Sequence, residues 1–340
     1  MDGTILFRAD ADADIGSGHV MRCLALAQHA SDVGMRPILL TTTPDGPAVE
    51  AWRSEGYQVR SQPPGTAVAS VADATETSAC ARNVAADWIV LDGYRFDATF
   101  QTRLSDERRL LVFDDVGETD VATDVLVNQN PGAEQWAKYR APVGCRQLLG
   151  SSFAVLRRDL RTLQRQEPKS PPRLLITFGG ADRENLALRA MERLDGCVGE
   201  FCAVAVCSAG DEGLADAQAF ALGHSDRFRV VAPGPIHELL AEADMVICAG
   251  GTTSLECAAL GIPTVLVVTA DNQRRGAMSM ASAGAAHLAG EGRKAIDNVA
   301  LLVKRLLNDA AERAKFSRAG QRLVSRDGVT RVVQTMCELV

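Results

Sequence analysis

A chain of 340 residues, 46% hydrophobic and 23% charged, is long enough for about two domains and too apolar for a disordered tail or a collagen-like repeat. Its 43 acidic residues outnumber 36 basic ones, giving a net charge of -7, which argues against a broad nucleic-acid-binding face. The nine cysteines, odd in number and without a C-x-x-C pair, read as reduced thiols of a cytoplasmic protein, not as a disulfide framework or zinc site.

No basic start runs into a long apolar stretch, and no segment approaches about 18 unbroken apolar residues. Neither a standard secretion signal nor membrane insertion is expected. Short apolar runs instead alternate with helical patterns. The first half predicts strands at Thr4–Ala9, Arg36–Thr41, Trp88–Leu91, Leu110–Phe113 and Val125–Val127. The second half predicts them at Arg173–Phe178, Phe201–Val206, Phe228–Val231, Met245–Cys248 and Thr264–Val268. Near-continuous apolar runs suit parallel strands buried on both faces. Between the first two, Val20, Cys23, Leu24 and Ala27 share a helical face, and Gly34 supplies a stop. The charged stretch from Arg157, ending in Lys169-Ser170-Pro171-Pro172, reads as a helix plus linker. The fold class is therefore α/β, with two Rossmann-like domains facing a cleft. The expected boundaries are 1–155 and 173–325 for the domains, 156–172 for the linker helix and 326–340 for a C-terminal helix. The segment 42–85 carries no motif.

Polar and glycine clusters follow the predicted strands, where open α/β sheets bind ligands. Ile15-Gly16-Ser17-Gly18-His19 permits a tight strand-to-helix turn at Gly16 and Gly18. His19 then opens the helix, where the dipole disfavours an imidazolium and favours a proton acceptor; a turn-packing role for His19 is equally open from the residues alone. Asp10, Asp12 and Asp14 do not form a calcium loop, because Ile15 and Met21 replace the required glycine and glutamate. One of these carboxylates is expected to face the cleft. Asp92-Gly93-Tyr94 and Asp114-Asp115 follow later strands. Adjacent strand residues point oppositely, so Asp114 and Asp115 are expected to divide into one structural and one cleft-facing acid.

Ala249-Gly250-Gly251-Thr252-Thr253-Ser254-Leu255-Glu256 is the stronger signal. Two glycines and three hydroxyls lead into a helix whose N–H groups suit a pyrophosphate. Glu256, about one turn in, can accept both hydroxyls of a ribose, or can be a solvent-facing acid. Gly179 and Gly180, ahead of Asp182 and Asn185, predict a second helix start of the same kind. Asn272 and Gln273 lie just beyond a strand. His29, His224, His237 and His287 lack metal-ligand spacing, and no metal site is predicted.

The string Phe7–Ala27 resembles the opening motif of the PseG/SpsG-like nucleotide-sugar hydrolases. The resemblance continues through Leu91–Tyr94, Phe113–Asp115, Asn128–Asn130, Phe178–Asp182, Ala249–Pro263 and Ala270–Gln273. The C-terminal glycine loop and helix glutamate are shared more widely with two-domain, GT-B-like glycosyltransferases, including MurG-like ones. The resemblance implies hydrolysis of UDP-2,4-diacetamido-2,4,6-trideoxy-β-L-altropyranose to UDP and free sugar, for pseudaminic acid or a related surface polysaccharide. It makes His19 the base that activates water, with inversion at the anomeric carbon. Gly250, Gly251, Thr252 and Thr253 would hold the pyrophosphate and Glu256 the ribose. Gly16, Gly18, Asp10, Arg22, Tyr94, Gly179, Gly180, Asn185, Asn272 and Gln273 would complete the UDP-sugar site. No cofactor is implied, and a UDP-sugar is the expected partner. A glycosyltransferase of the same architecture and a non-catalytic nucleotide-sugar-binding protein are the competing readings.

Overall fold

The computed structural model describes residues 3–12, 16–105, 108–179, 182–196, 199–208 and 213–339. The chain forms two compact units: Met1–Arg158 with Arg326–Val340, and Asp159–Ser325. The first unit holds a seven-stranded sheet built from β1 (Thr4–Ala9), β2 (Arg36–Thr41), β3 (Gln58–Ser61), β4 (Trp88–Asp92), β5 (Arg109–Phe113), β6 (Val125–Asn128) and β7 (Arg146–Leu149). Its order is β3-β2-β1-β4-β5-β6-β7, and every pairing is parallel.

The second unit repeats the scheme with β8 (Arg173–Thr177), β9 (Cys202–Val206), β10 (Phe228–Val231), β11 (Met245–Ala249), β12 (Thr264–Val268) and β13 (His287–Glu291). The order is β10-β9-β8-β11-β12-β13, again parallel throughout. Each sheet thus reverses its winding once, between β1 and β4 in the first unit and between β8 and β11 in the second. Such switch points open a crevice at the carboxyl ends of the strands.

Helix Gly18–Asp32 matches the apolar face read from the sequence. It ends at Gly34, whose φ of 94° lies in the left-handed region that glycine enters without strain. This helix is buried on more than one face because the helix Pro47–Ser54 and the C-terminal helix Gly328–Glu338 also cover it. Trp52, fully buried, packs edge-on to Phe7 at 5.2 Å, and its indole N–H donates to the Val20 carbonyl at 3.1 Å. The β1 end of the sheet therefore holds the start of the Gly18 helix in place through packing from several sides.

One expected element is shorter, and two others gain a place that the sequence left open. The stretch from Arg157 yields one short helix, Arg158–Thr162, and the residues from Asp159 onward belong to the second unit. The C-terminal helix returns to the first unit. Segment 42–85, silent in sequence, supplies two helices and an edge strand, and also Asp73. Its carboxylate takes two hydrogen bonds of 2.9 Å from the fully buried Arg8 guanidinium of β1.

The return of the C-terminal helix depends on Gly328. A Cβ there would collide with the backbone of Ala154, so Gly328→Ala is expected to destabilise the protein by about 1–3 kcal/mol. A urea melt followed by circular dichroism measures this.

Candidate functional site

At the switch point of the first unit, Asp92 is the last residue of β4 and pairs across with Ala9, the last of β1. The chain leaving β1 turns through Gly16, whose φ is 72°, and enters the Gly18 helix at Ser17, with no side-chain cap. This brings His19 Nδ1 to 2.6 Å from Asp92 Oδ1. An ionised carboxylate only accepts, so Nδ1 carries the proton and donates; the lone pair then lies on Nε2. His19 is only 6% exposed, and Tyr94 stands edge-on to its ring at 4.6 Å.

Arg22, one helical turn on, clamps the other side of Asp92. Its Nε donates to Asp92 Oδ2 at 2.8 Å and its Nη2 to Asp92 Oδ1 at 2.7 Å. The same guanidinium reaches Asp115 at 2.8 and 3.0 Å and lies over the Phe113 ring at 4.8 Å. Burial alone would raise the pKa of Asp92, yet Arg22 and His19 outweigh it and hold the carboxyl below the usual range. The result is a histidine oriented by a carboxylate whose ionised form is favoured, itself fixed by an arginine. A base so held can take a proton at Nε2 while Asp92 stabilises the imidazolium that forms.

His19 and Arg22 line a cavity of about 390 Å³ with Tyr94, Phe96, Phe113 and Asp115. Asp114 serves the turn beyond β5: its Oδ1 accepts from the Val116 and Gly117 amides and from the Tyr139 hydroxyl.

Asp10, expected at the cleft, is engaged inward instead. It is 4% exposed, pairs with Arg8 at 2.7 Å and accepts from Thr41 and Thr42. This cross-links the ends of β1 and β2, because a buried carboxylate is stable only when charge and hydrogen bonds surround it. Arg22 too was expected among the substrate contacts; its donors are committed to two carboxylates, which makes it a positioning residue. Asp14 and Ile15 lie outside the described residues.

Burial also opposes ionisation of Asp10, and Arg8 with Thr42 prevails to lower its pKa. A carboxyl lowered on folding from an unfolded value of about 3.9 contributes stability that is full above that value. The contribution is lost as pH falls through the folded pKa. Urea midpoints should therefore drop steeply below about pH 4, and Asp10→Asn should flatten that slope.

In the second unit, Gly250 and Gly251 follow β11 at the switch point, and helix Thr252–Leu260 begins at Gly251 without a side-chain cap. A Cβ on Gly250 would sit 3.2 Å from Gln273 Cβ and 3.3 Å from Ala277 Cβ, so glycine permits this close approach. Gln273 Oε1 accepts from the Thr269 amide and hydroxyl at 3.0 and 3.1 Å. Gly250, Gly251 and Gln273 are thus brought together, Asn272 lies in the same short 3-10 turn, and Glu256 is buried one turn along the helix.

The helix start after β8 differs from expectation. Both carboxylate oxygens of Asp182 already accept its amides, from Leu186 and Ala187 at 2.8 Å, so that start carries its own anion. Gly179 has a φ of 90° and Asn185 the left-handed φ of 54°; Gly180 lies outside the described residues. Among the described residues no group of three or more His, Cys, Asp or Glu could hold a metal ion, and no helix is long and apolar enough to cross a membrane.

Sequence reasoning assigned Asp92 no role of its own, whereas the expected division of Asp114 and Asp115 is what the structure shows, with Asp114 serving the turn and Asp115 held by Arg22. The signal for Asp92 is positional, since it stands at the carboxyl end of an interior strand.

Residues 223–332 match the model of the glycosyltransferase family 28 C-terminal domain. An uncharacterized protein of Methanocaldococcus jannaschii is 22% identical over 277 residues, 78% of this chain and 55% of its own length. A Campylobacter jejuni protein named UDP-2,4-diacetamido-2,4,6-trideoxy-beta-L-altropyranose hydrolase is 24% identical over 194 residues, 56% of this chain and 65% of its own. The chain therefore spans less than two thirds of either curated relative. Among solved structures, Acinetobacter baumannii MurG has a TM-score of 0.65 at 17% identity, covering 99% of each chain. S. aureus MnaA, solved with UDP, has a TM-score of 0.69 at 11% identity over 100% of this chain and 98% of its own. The fold is that of the two-domain GT-B proteins, as the sequence led one to expect.

Proposed function

We propose that this protein hydrolyses a UDP-linked 2,4-diacetamido-2,4,6-trideoxyhexose to UDP and the free sugar. The observation that carries the reading is the buried His19–Asp92 pair, clamped by Arg22, with His19 lining a cavity at the switch point of the first unit. The named Campylobacter hydrolase among the relatives supports the reaction, and the UDP bound to a neighbour of the same fold supports the nucleotide.

In this reading His19 Nε2 removes a proton from water as the water oxygen bonds to the anomeric carbon. The bond from that carbon to the phosphate oxygen breaks, its electron pair leaves with UDP, and the configuration inverts. Asp92 holds the imidazole and balances its new charge. The amides at Gly250, Gly251, Thr252 and Thr253 hold the diphosphate, where a helix N-terminus stabilises the charge UDP gains. Glu256 accepts the ribose hydroxyls, with Tyr94, Gly16, Gly18, Asn185, Asn272 and Gln273 as further contacts. Replacing one accepting oxygen by an N–H donor and removing the charge, Glu256→Gln should weaken UDP binding by about tenfold or more, as read by calorimetry.

The family 28 match over residues 223–332 favours one alternative, a glycosyltransferase. Acceptor-free incubation with the UDP-activated diacetamido sugars separates the two. Release of UDP, followed by NMR, supports hydrolysis; turnover that begins only on adding a sugar or lipid acceptor supports transfer. Binding of UDP without any turnover would leave a nucleotide-sugar-binding protein.

A further inference from the structure

The turn that leaves β6, Asn128-Gln129-Asn130, has no part in the chemistry above. It stands beside the acids that follow β5, because the Asp114 amide donates to the Val127 carbonyl at 3.0 Å. Asn130 Nδ2 donates to Asp115 Oδ1 at 3.3 Å and to the Asp115 carbonyl at 3.5 Å. The main-chain N–H of Asn130 donates in turn to Asn128 Oδ1 at 3.0 Å. A backbone N–H can only donate, so it fixes which end of the fully buried Asn128 side chain faces it. Asn128 Nδ2 is left to donate to the Tyr139 oxygen at 2.8 Å, and the Tyr139 proton goes to Asp114 Oδ1 at 2.7 Å. Burial and the charge of Asp114 push the Tyr139 phenol up, which keeps that proton in place. A chain whose donors and acceptors are all decided in this way is rigid.

We propose that Asn128 and Asn130 are positioning residues for His19, acting through Asp115 and Arg22. Arg22 divides its fork between two carboxylates, with Nε and Nη2 on Asp92 and with Nη1 and Nη2 on Asp115. The two acids repel each other and share one cation, so the place of the guanidinium depends on how firmly Asp115 is held. Asn130 grips Asp115 by main chain and side chain together, and Asn128 ties Asn130 to the neighbouring Asp114 through Tyr139. The ends of β5 and β6 thus brace Arg22 from the side opposite Asp92, and Arg22 sets the carboxylate that orients the imidazole. Only the kinetic consequence rests on the hydrolase reading; the geometry of the His19–Asp92 pair is measurable without turnover.

Asn130→Asp keeps the shape of the side chain and the main-chain bond to Asn128, but sets a charge against Asp115 in place of a donor. Acceptor-free UDP release should lose about tenfold or more in kcat, with KM and UDP affinity unchanged. Asn130→Ala, which removes the donor without adding charge, should lose about threefold. Proton NMR of the full chain reads the geometry directly. The Nδ1 proton of His19, assigned by its absence in His19→Ala, should lie far downfield in the parent and move upfield in both variants as the bond to Asp92 loosens. A role confined to stability would lower the urea midpoint and leave this resonance and kcat where they are. A resonance at the parent position, or a parental kcat, in variants that keep the parent circular dichroism overturns the positioning role. A resonance that moves in the variants, when the parent releases no UDP without an acceptor, supports the positioning of His19 and overturns the hydrolase reading alone.

Discussion

His19→Ala is expected to lower acceptor-free UDP release by about a hundredfold to ten-thousandfold, the range that a positioned general base contributes. UDP affinity should not change, because nucleotide binding is assigned to the second unit. Asp92 stands behind His19 at 2.6 Å, so Asp92→Asn gives an independent reading of the same step. Asparagine can offer its amide to Nδ1 and leave the proton on Nε2, the atom that must accept. Turnover should fall to a similar degree while the histidine is still present. Full activity in either variant would remove His19 from the chemistry and leave it a packing residue of the turn.

Arg22→Met is expected to have the largest effect on stability. It would leave Asp92 and Asp115 without the cation they share, and breaking a buried ion pair from one side costs about 3–5 kcal/mol. Arg22→Lys should restore only part of that, because an ammonium cannot bridge two carboxylates through paired N–H groups. Loss of Arg22 also removes the first group that opposes burial at Asp92, so the Asp92 carboxyl should titrate at higher pH. The stability of the variant should then fall less between neutral and acidic pH than that of the parent, so the gap between them narrows in acid. A urea melt at neutral pH and a second under mildly acidic conditions measure both effects. A variant as stable as the parent at both would mean that the guanidinium is not the group holding the two acids.

Interior strands were legible in the sequence because both faces are covered, which leaves unbroken runs such as TILFRA and TVLVV. The missed strands, β3 (QVRS), β7 (RQLL) and β13 (HLAGE), are all sheet edges. An edge strand has one neighbour and an open side, so polar residues interrupt it and the apolar signal disappears. The turn before His19 was legible because Gly16 and Gly18 stand directly before a helical pattern. Its partner was not, since Asp92 lies 73 positions away and only the pairing of β1 with β4 brings it near. Asp10 misled for a related reason. It stands at a strand end where ligands bind, but Arg8 and Thr42 claim it, and neither partnership leaves a mark in spacing. The C-terminal helix shows an apolar face in sequence without saying which unit that face covers.

The account turns on water attacking the anomeric carbon with His19 as base. The most direct measurement is phosphorus NMR of the UDP released in isotopically labelled water, with a UDP-activated diacetamido sugar and no acceptor. UDP free of the heavy oxygen isotope, produced by the parent protein and not by His19→Ala, is the predicted result. Label in the UDP phosphate, or no UDP until an acceptor is supplied, would contradict it.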